Sequence, residues 1–299
     1  MVMVVTNSNE LSKYTDKKTA VALGSFDAMH KGHLKVIGEA VSFAKKNGLY
    51  SLVQLFETVP ESKGEVFEIN SLSSRVEILE GLDVDIVVVE KFDERFKNTK
   101  YDEFVRLYLK DKYNASVVFA GDNYRFGHKA AGDIDKLREE CSKYGIYTKI
   151  IECIKQGEVI SSTRIRECIR NGDVEEALNL MTRPHILEGK VIHGRGVGHT
   201  IGFPTANIQI PQNSVVPKDG VYITNVTVDG QTYKGITNIG SKPTVDVKEK
   251  NIETHISDFN ADIYGETIEL EFLKFIRDIK KFNSLDELKK QLKEDKKQL

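Results

Sequence analysis

Near residue 183 the apolar residues of the chain change their period, and that change limits the folds open to it. Before it, short apolar runs at 19–23, 51–56, 85–89, 116–120 and 147–152 read as buried strands. The stretches between them have helical spacing. Leu34, Ile37, Val41 and Ala44 share one helix face with Gly48 placed as a C-cap, Phe104, Val105, Leu107 and Leu109 predict a second helix, and Ile134, Leu137 and Cys141 a third. Strand alternating with helix means parallel strands joined by crossovers, so the first half reads as an α/β doubly wound parallel sheet of Rossmann-like type. A ligand of such a sheet sits at the carboxyl ends of its strands.

After the change, apolar and polar residues alternate at 206–210, and 221–228 pairs naturally with 231–239 across Asp229-Gly230, a strong hairpin signal. Further strands are predicted at 252–257 and 267–275. Several strands without intervening helices point to an antiparallel β-barrel or sandwich. Ser284-Leu285-Asp286-Glu287 is a capping-box pattern opening a terminal helix through Leu288 and Leu292. Between the halves, Asn171-Gly172-Asp173 starts a short helix that Pro184 prevents from continuing. The expected domains are therefore 1–182 and 183–299.

The length of 299 residues suits two domains, and 40% hydrophobic with 29% charged residues is ordinary for a folded globular protein rather than a disordered or fibrous one. A net charge of −2 gives no reason to expect nucleic acid or an anionic membrane as partner. The start of the chain lacks the pattern of a signal peptide and no apolar run approaches a membrane span, so the cytoplasm is the expected location. Cys141, Cys153 and Cys168 lack paired metal spacing and read as reduced, mostly buried thiols.

Two segments carry phosphate-handling chemistry. The first, Gly24-Ser25-Phe26-Asp27-Ala28-Met29-His30-Lys31-Gly32-His33, joins a strand end to a helix start, where backbone N–H groups and the helix dipole favour an anion. His30 and His33 add two imidazole donors, and Gly32 allows a close approach. Nucleotidyl transfer needs such a site, because the protein chiefly positions phosphates and stabilises charge. Ser161, Ser162 and Thr163 supply hydroxyls at a second helix start, with Arg166 one turn in to neutralise leaving pyrophosphate. The loop Gly121 to Gly127 presents Asn123 and Arg125 among aromatics that suit a flat ring.

The second segment spaces Gly194, Gly196 and Gly198 on alternate positions and leads into Gly202-Phe203-Pro204-Thr205-Ala206-Asn207. It is neither a Walker A motif nor a dinucleotide fingerprint. Thr205 and Asn207 alternate on one strand face as two neutral oxygens, a set that suits Mg²⁺ held jointly with ATP phosphates. Glu253 and His255 share a face of another predicted strand, where Glu253 can serve as general base toward a primary alcohol.

The Gly24 to His33 loop and Ser161 to Arg166 resemble the signatures of the cytidylyltransferase-like nucleotidyltransferases. Taken with the Gly202 to Asn207 motif, Glu253-Thr254-His255-Ile256-Ser257-Asp258-Phe259, Asp262-Ile263-Tyr264-Gly265, Arg277 and Lys281-Phe282, they resemble the bacterial bifunctional riboflavin kinase/FMN adenylyltransferase family over nearly the whole chain. The resemblance implies that the barrel phosphorylates riboflavin to FMN with ATP and Mg²⁺ and that the first domain joins FMN to AMP from a second ATP, giving FAD. It implies ATP binding in the transferase by Gly24, Phe26, Asp27, His30, His33, Ser161, Ser162, Thr163 and Arg166, with flavin at Asn123 and Arg125. In the kinase it implies ATP at Gly194, Gly196, Gly198, Thr200, Thr205 and Asn207, metal at Thr205 and Asn207, and Glu253 as catalytic base. His30, His33 and Arg166 are its catalytic set in the transferase. Where the family has a phenylalanine-acid-proline-histidine-proline run, this chain has Phe56-Glu57-Thr58-Val59-Pro60. That departure leaves a kinase with a merely ligand-binding first domain as the alternative. A separate, non-enzyme reading, a barrel that binds single-stranded nucleic acid, has the near-neutral charge and the absence of a basic–aromatic surface against it.

Overall fold

A computed structural model describes residues 3–14, 16–59, 67–194, 202–241 and 250–299. The chain divides into two units, Met1–Ser162 and Thr163–Leu299.

In the first unit the strands β1 (Val4–Thr6), β2 (Thr19–Leu23), β3 (Tyr50–Phe56), β4 (Ile86–Glu90), β5 (Ala115–Gly121) and β6 (Tyr147–Ile151) form one sheet in the order β1-β4-β3-β2-β5-β6, parallel throughout. All five residues of β2 are buried, because both faces of a parallel sheet are covered. Ala20 and Ala22 face one core cluster, with Ile37, Ala40, Val41 and Ala44 of helix α1 (Lys31–Asn47), while Val21 and Leu23 face the other. Gly48 ends α1 with φ of 66°, the left-handed C-cap its position predicts.

The other crossovers are α2 (Leu72–Gly81), α3 (Glu94–Lys97), α4 (Tyr101–Phe104) and α5 (Ile134–Ser142). The helix expected around Phe104 is present but widens into a π-helical stretch at Val105–Lys112. Sequence periodicity missed α2, where Arg75 interrupts the apolar spacing and is itself buried, and missed β1, a three-residue edge strand. The strand order reverses between β2 and β5, so the loops leaving these two strands flank the crevice where a ligand of such a sheet binds.

A short hairpin, β7 (Lys155–Gln156) and β8 (Glu158–Val159), precedes α6 (Ser162–Asn171), in whose first turn the second unit begins. After α7 (Val174–Met181) come β9 (His185–Ile192), β10 (Ala206–Gln209), β11 (Gly220–Val228), β12 (Gln231–Ser241), β13 (Lys250–Ile256) and β14 (Thr267–Arg277). These strands close an antiparallel barrel in the order β10-β13-β12-β11-β14-β9, which removes every sheet edge. Val174 of α7 is buried in the barrel's core cluster. At the β11–β12 hairpin Asp229 and Gly230 both have positive φ, 46° and 73°, as a type I′ turn requires. The terminal helix α8 (Leu285–Lys296) is capped by Ser284, whose hydroxyl accepts from the Glu287 N–H, while the Glu287 carboxylate turns to the Asn283 N–H instead of to Ser284.

Candidate active sites

The loop leaving β2 is held from below. Asp27 is fully buried and its Oδ1 accepts from the Ile69 N–H at 2.9 Å, while the Asn70 amide donates to the Asp27 carbonyl at 2.6 Å. Phe26 and Met29 adopt positive φ of 47° and 45°, a strain that this anchoring sustains. Arg75 is buried nearby in charge terms, donating to the Phe56 carbonyl at 3.1 Å; burial lowers its pKa while Glu68 and Asp27 oppose that shift.

His30 is the N-cap of α1. Its Nδ1 accepts from the His33 N–H at 3.2 Å, which leaves the proton of the neutral ring on Nε2. The two imidazoles stack with centroids 3.7 Å apart, and Phe26 meets His33 edge-on at 5.2 Å. A Cβ on Gly32 would stand 3.1 Å from the His30 ring, so the glycine makes room for the cap itself. Burial pushes His30 down to about 4, and burial with the neighbouring His30 charge holds His33 well below the usual histidine range. Both rings are therefore neutral near pH 7. His33 Nδ1 is buried without a hydrogen-bond partner among the described residues.

In the loop after β5, Asn123 is exposed and Arg125 pairs with Asp133 at 3.3 Å. Tyr124 stacks on Phe126, their rings 5.6 Å apart and nearly parallel at 8°. Asp122 accepts from both the Cys153 N–H at 3.2 Å and the Cys153 thiol at 2.6 Å. The thiol is pushed up to about 11, first by burial and then by Asp122, so it is inert at neutral pH. Cys141 is buried as expected, whereas Cys153 and Cys168 are only half-buried. Ser162 and Thr163 lie in the first turn of α6 with Ser161 just before it and Arg166 one turn on, while Arg164 pairs with Glu176 at 2.9 Å. The border between the two units falls between Ser162 and Thr163.

In the barrel, register assembles what the sequence scatters. Glu253 of β13 pairs across the sheet with Asn207 of β10 on one side and Asn238 of β12 on the other. Asn251 donates to Glu253 Oε1 at 2.7 Å, fixing the carboxylate. The Asn207 amide occupies the space that a Cβ on Gly194 would need. Gly196, Gly198 and Thr200 lie outside the described residues.

Two cavities share Thr205 in their walls. One, of about 290 Å³, is lined by Thr205, Asn238, Glu253, His255 and Arg277 and is walled by Leu288 and Leu292 of α8. The other, of about 340 Å³, is lined by Thr205, Ala206, Phe259, Asp262 and Tyr264. The wall formed by α8 is fixed by an ion pair on a buried carboxylate: Arg277 donates to both oxygens of Asp295, the shortest contact 2.7 Å, and Gln291 adds a third donor at 2.9 Å. Sequence reasoning missed Asn238 and Asp295. Nothing in their local pattern distinguishes them from ordinary strand and helix residues.

Family models match each half of the chain. A model described as FAD synthetase matches residues 12–164, and one described as riboflavin kinase matches 181–299. A protein of Bacillus subtilis named bifunctional riboflavin kinase/FMN adenylyltransferase is 35% identical over 98% of this chain and 95% of its own length. The chain belongs to the bifunctional riboflavin kinase/FMN adenylyltransferase family. A Haemophilus influenzae member of the same name is 35% identical over 92% of this chain and 91% of its own. A crystal structure titled macrolide-efflux protein, from Streptococcus pneumoniae, superposes with a TM-score of 0.89 at 33% identity, covering 99% of this chain and 98% of that one. That title concerns the pneumococcal protein. Among the described residues here no helix is long and apolar enough to cross a membrane.

Within this family the Thr58-Val59 departure is a structured one. Val59 is buried and its N–H donates to Glu68 at 2.9 Å, while the Glu57 N–H donates to the Glu90 carbonyl at 2.9 Å, so the segment after β3 is held by its backbone.

Proposed function

We propose that the barrel phosphorylates riboflavin to FMN with ATP and that the parallel-sheet domain adenylylates FMN to FAD with a second ATP, releasing pyrophosphate. Family models for both activities match, one per half, and full-length relatives carry the two-activity name, which favours this reading over a kinase with a merely ligand-binding first domain. We keep the domain border at residue 183, after α7.

The observation that carries the kinase reading is the placement of Glu253 on the wall of one cavity, with Thr205 on the walls of both. Flavin in the 290 Å³ cavity and nucleotide in the other would meet at Thr205. Glu253 takes the proton of the ribityl primary hydroxyl as its oxygen attacks the γ-phosphorus; ADP leaves. Among the described residues there is no cluster of three or more histidines, cysteines or carboxylates able to hold a metal. The neutral oxygens of Thr205 and Asn207, the latter seated against Gly194, fit Mg²⁺ shared with ATP phosphates. Such an ion, when bound, neutralises phosphate charge.

In the first domain an FMN phosphate oxygen attacks the α-phosphorus of ATP. Neutral His30, with its proton on Nε2, donates to a phosphate oxygen, and the N-terminus of α1 adds backbone donors. Asp27 positions that loop from its buried anchor, and Ser161, Ser162, Thr163 and Arg166 take the leaving pyrophosphate. Asn123 and Arg125 border the flavin. These substrates are small molecules of the cytoplasm, and the chemistry requires neither nucleic acid nor membrane.

Incubation of the protein with riboflavin, ATP and Mg²⁺, followed by chromatography and a pyrophosphate assay, should show FMN first and then FAD with equimolar pyrophosphate. FMN without FAD would remove the second activity.

A further inference from the structure

Among the residues that line the cavity holding Glu253, one has a buried polar atom without a hydrogen-bond partner among the described residues. His255 is 9% exposed and lines this cavity. Its Nδ1 lies 2.9 Å from the Pro204 carbonyl oxygen, and because a carbonyl only accepts, the neutral ring carries its proton on Nδ1 and a lone pair on Nε2. That Nε2 is buried with no hydrogen-bond partner among the described residues. Phe203 packs edge-on against the ring at 5.3 Å, so two contacts hold its orientation.

A buried acceptor without a partner is unfavourable until a ligand supplies a donor. The chemistry of that donor follows from the strand. Glu253 stands two residues earlier on the same face, about 6.6 Å away along β13 at the usual rise per residue. In riboflavin the hydroxyl that is phosphorylated ends a chain of secondary hydroxyls, each a donor. Resting on the kinase reading above, we propose that His255 is a flavin-binding residue whose Nε2 accepts a hydrogen bond from a secondary ribityl hydroxyl while Glu253 engages the terminal one. No bond of the reaction is made or broken at His255. It sets the course of the polyol across the strand and discriminates against flavins whose side chain lacks secondary hydroxyls.

Asparagine can donate from the position of Nδ1 but places nothing at Nε2, so His255→Asn removes the acceptor and retains the Pro204 contact. Quenching of riboflavin fluorescence without nucleotide reads affinity separately from turnover. His255→Asn should weaken riboflavin binding about three- to tenfold, raise the riboflavin KM by a similar factor and leave the ATP KM within about twofold. A flavin carrying an ω-hydroxypentyl chain keeps the terminal hydroxyl and lacks the secondary ones; it should bind wild type and variant alike. His255→Gln, which returns an acceptor to the Nε2 position, should recover much of the riboflavin affinity. Unchanged riboflavin affinity in His255→Asn, an equal loss with the hydroxypentyl flavin, or a parallel rise in the ATP KM would each overturn the proposal. If wild type fails to phosphorylate riboflavin, the kinase reading itself falls, and the fluorescence comparison still reports on His255.

Discussion

His30 Nδ1 accepts the N–H of His33 at 3.2 Å while the two imidazole rings stack 3.7 Å apart. One ring thus caps the helix and keeps its proton on Nε2, and neither ring can be charged cheaply in the free protein.

That relationship sets a pH dependence. The His30 pKa falls from 6.5 to about 4 on folding, and the buried His185 of the barrel, whose Nε2 faces the Val215 carbonyl at 2.8 Å, also falls to about 4. A lowered histidine pKa means the unfolded chain binds more protons between these values, so stability is complete above about pH 6.5 and is lost as pH falls toward 4. Urea unfolding at pH 7.5 and pH 5 should show a loss on the order of a few kcal/mol at the lower pH. His30→Ala should reduce that slope; an identical slope would show that His30 is not its source.

Replacing both His30 and His33 by alanine should cut FAD formation from supplied FMN by about 10²-fold or more, since charge-stabilising donors at phosphate are lost. Riboflavin phosphorylation by the same variant should keep its kcat, because the barrel performs it. A double variant that still makes FAD at the wild-type rate would remove the histidines from the reaction.

Glu253→Gln keeps the shape of the side chain and its bond to Asn251 but cannot take a proton. Kinase kcat should drop by about 10² to 10⁴. FAD formation from FMN should continue unaltered, and a kinase loss below about threefold would mean that another group is the base.

A methyl group at Gly194 would occupy the space of the Asn207 amide. Gly194→Ala is therefore expected to raise the Mg·ATP KM of the kinase by about tenfold or more, through displacement of Asn207, with the transferase KM for ATP unchanged. Steady-state titration of ATP in the two half-reactions separates these outcomes.

Asp295 is 1% exposed and takes three donors from Arg277 and Gln291. Asp295→Ala removes the carboxylate partner of the half-buried Arg277 guanidinium, at a cost of about 2 to 3 kcal/mol. Thermal melting should register that loss, and the riboflavin KM should rise because Leu288 and Leu292 of α8 no longer hold the cavity wall. A melting point unchanged from wild type would show that α8 is held by its apolar contacts alone.

Periodicity placed the parallel sheet, the barrel and the terminal helix, because burial on two faces, on one face or on a stripe leaves its own spacing in the chain. Local backbone chemistry was equally legible at Gly48 and at Asp229-Gly230, where positive φ is a property of a few neighbouring residues. Motif spacing likewise marked Thr205, Asn207, Glu253 and the two histidines. What the sequence could not display is what depends on residues far apart along it. Strand register alone sets Glu253 between Asn207 and Asn238, and barrel closure brings Pro204 to His255 and Arg277 to Asp295. Burial in the assembled fold, not residue type, keeps His30 and His33 neutral, since desolvation is a sum over every neighbour that the chain folds around them.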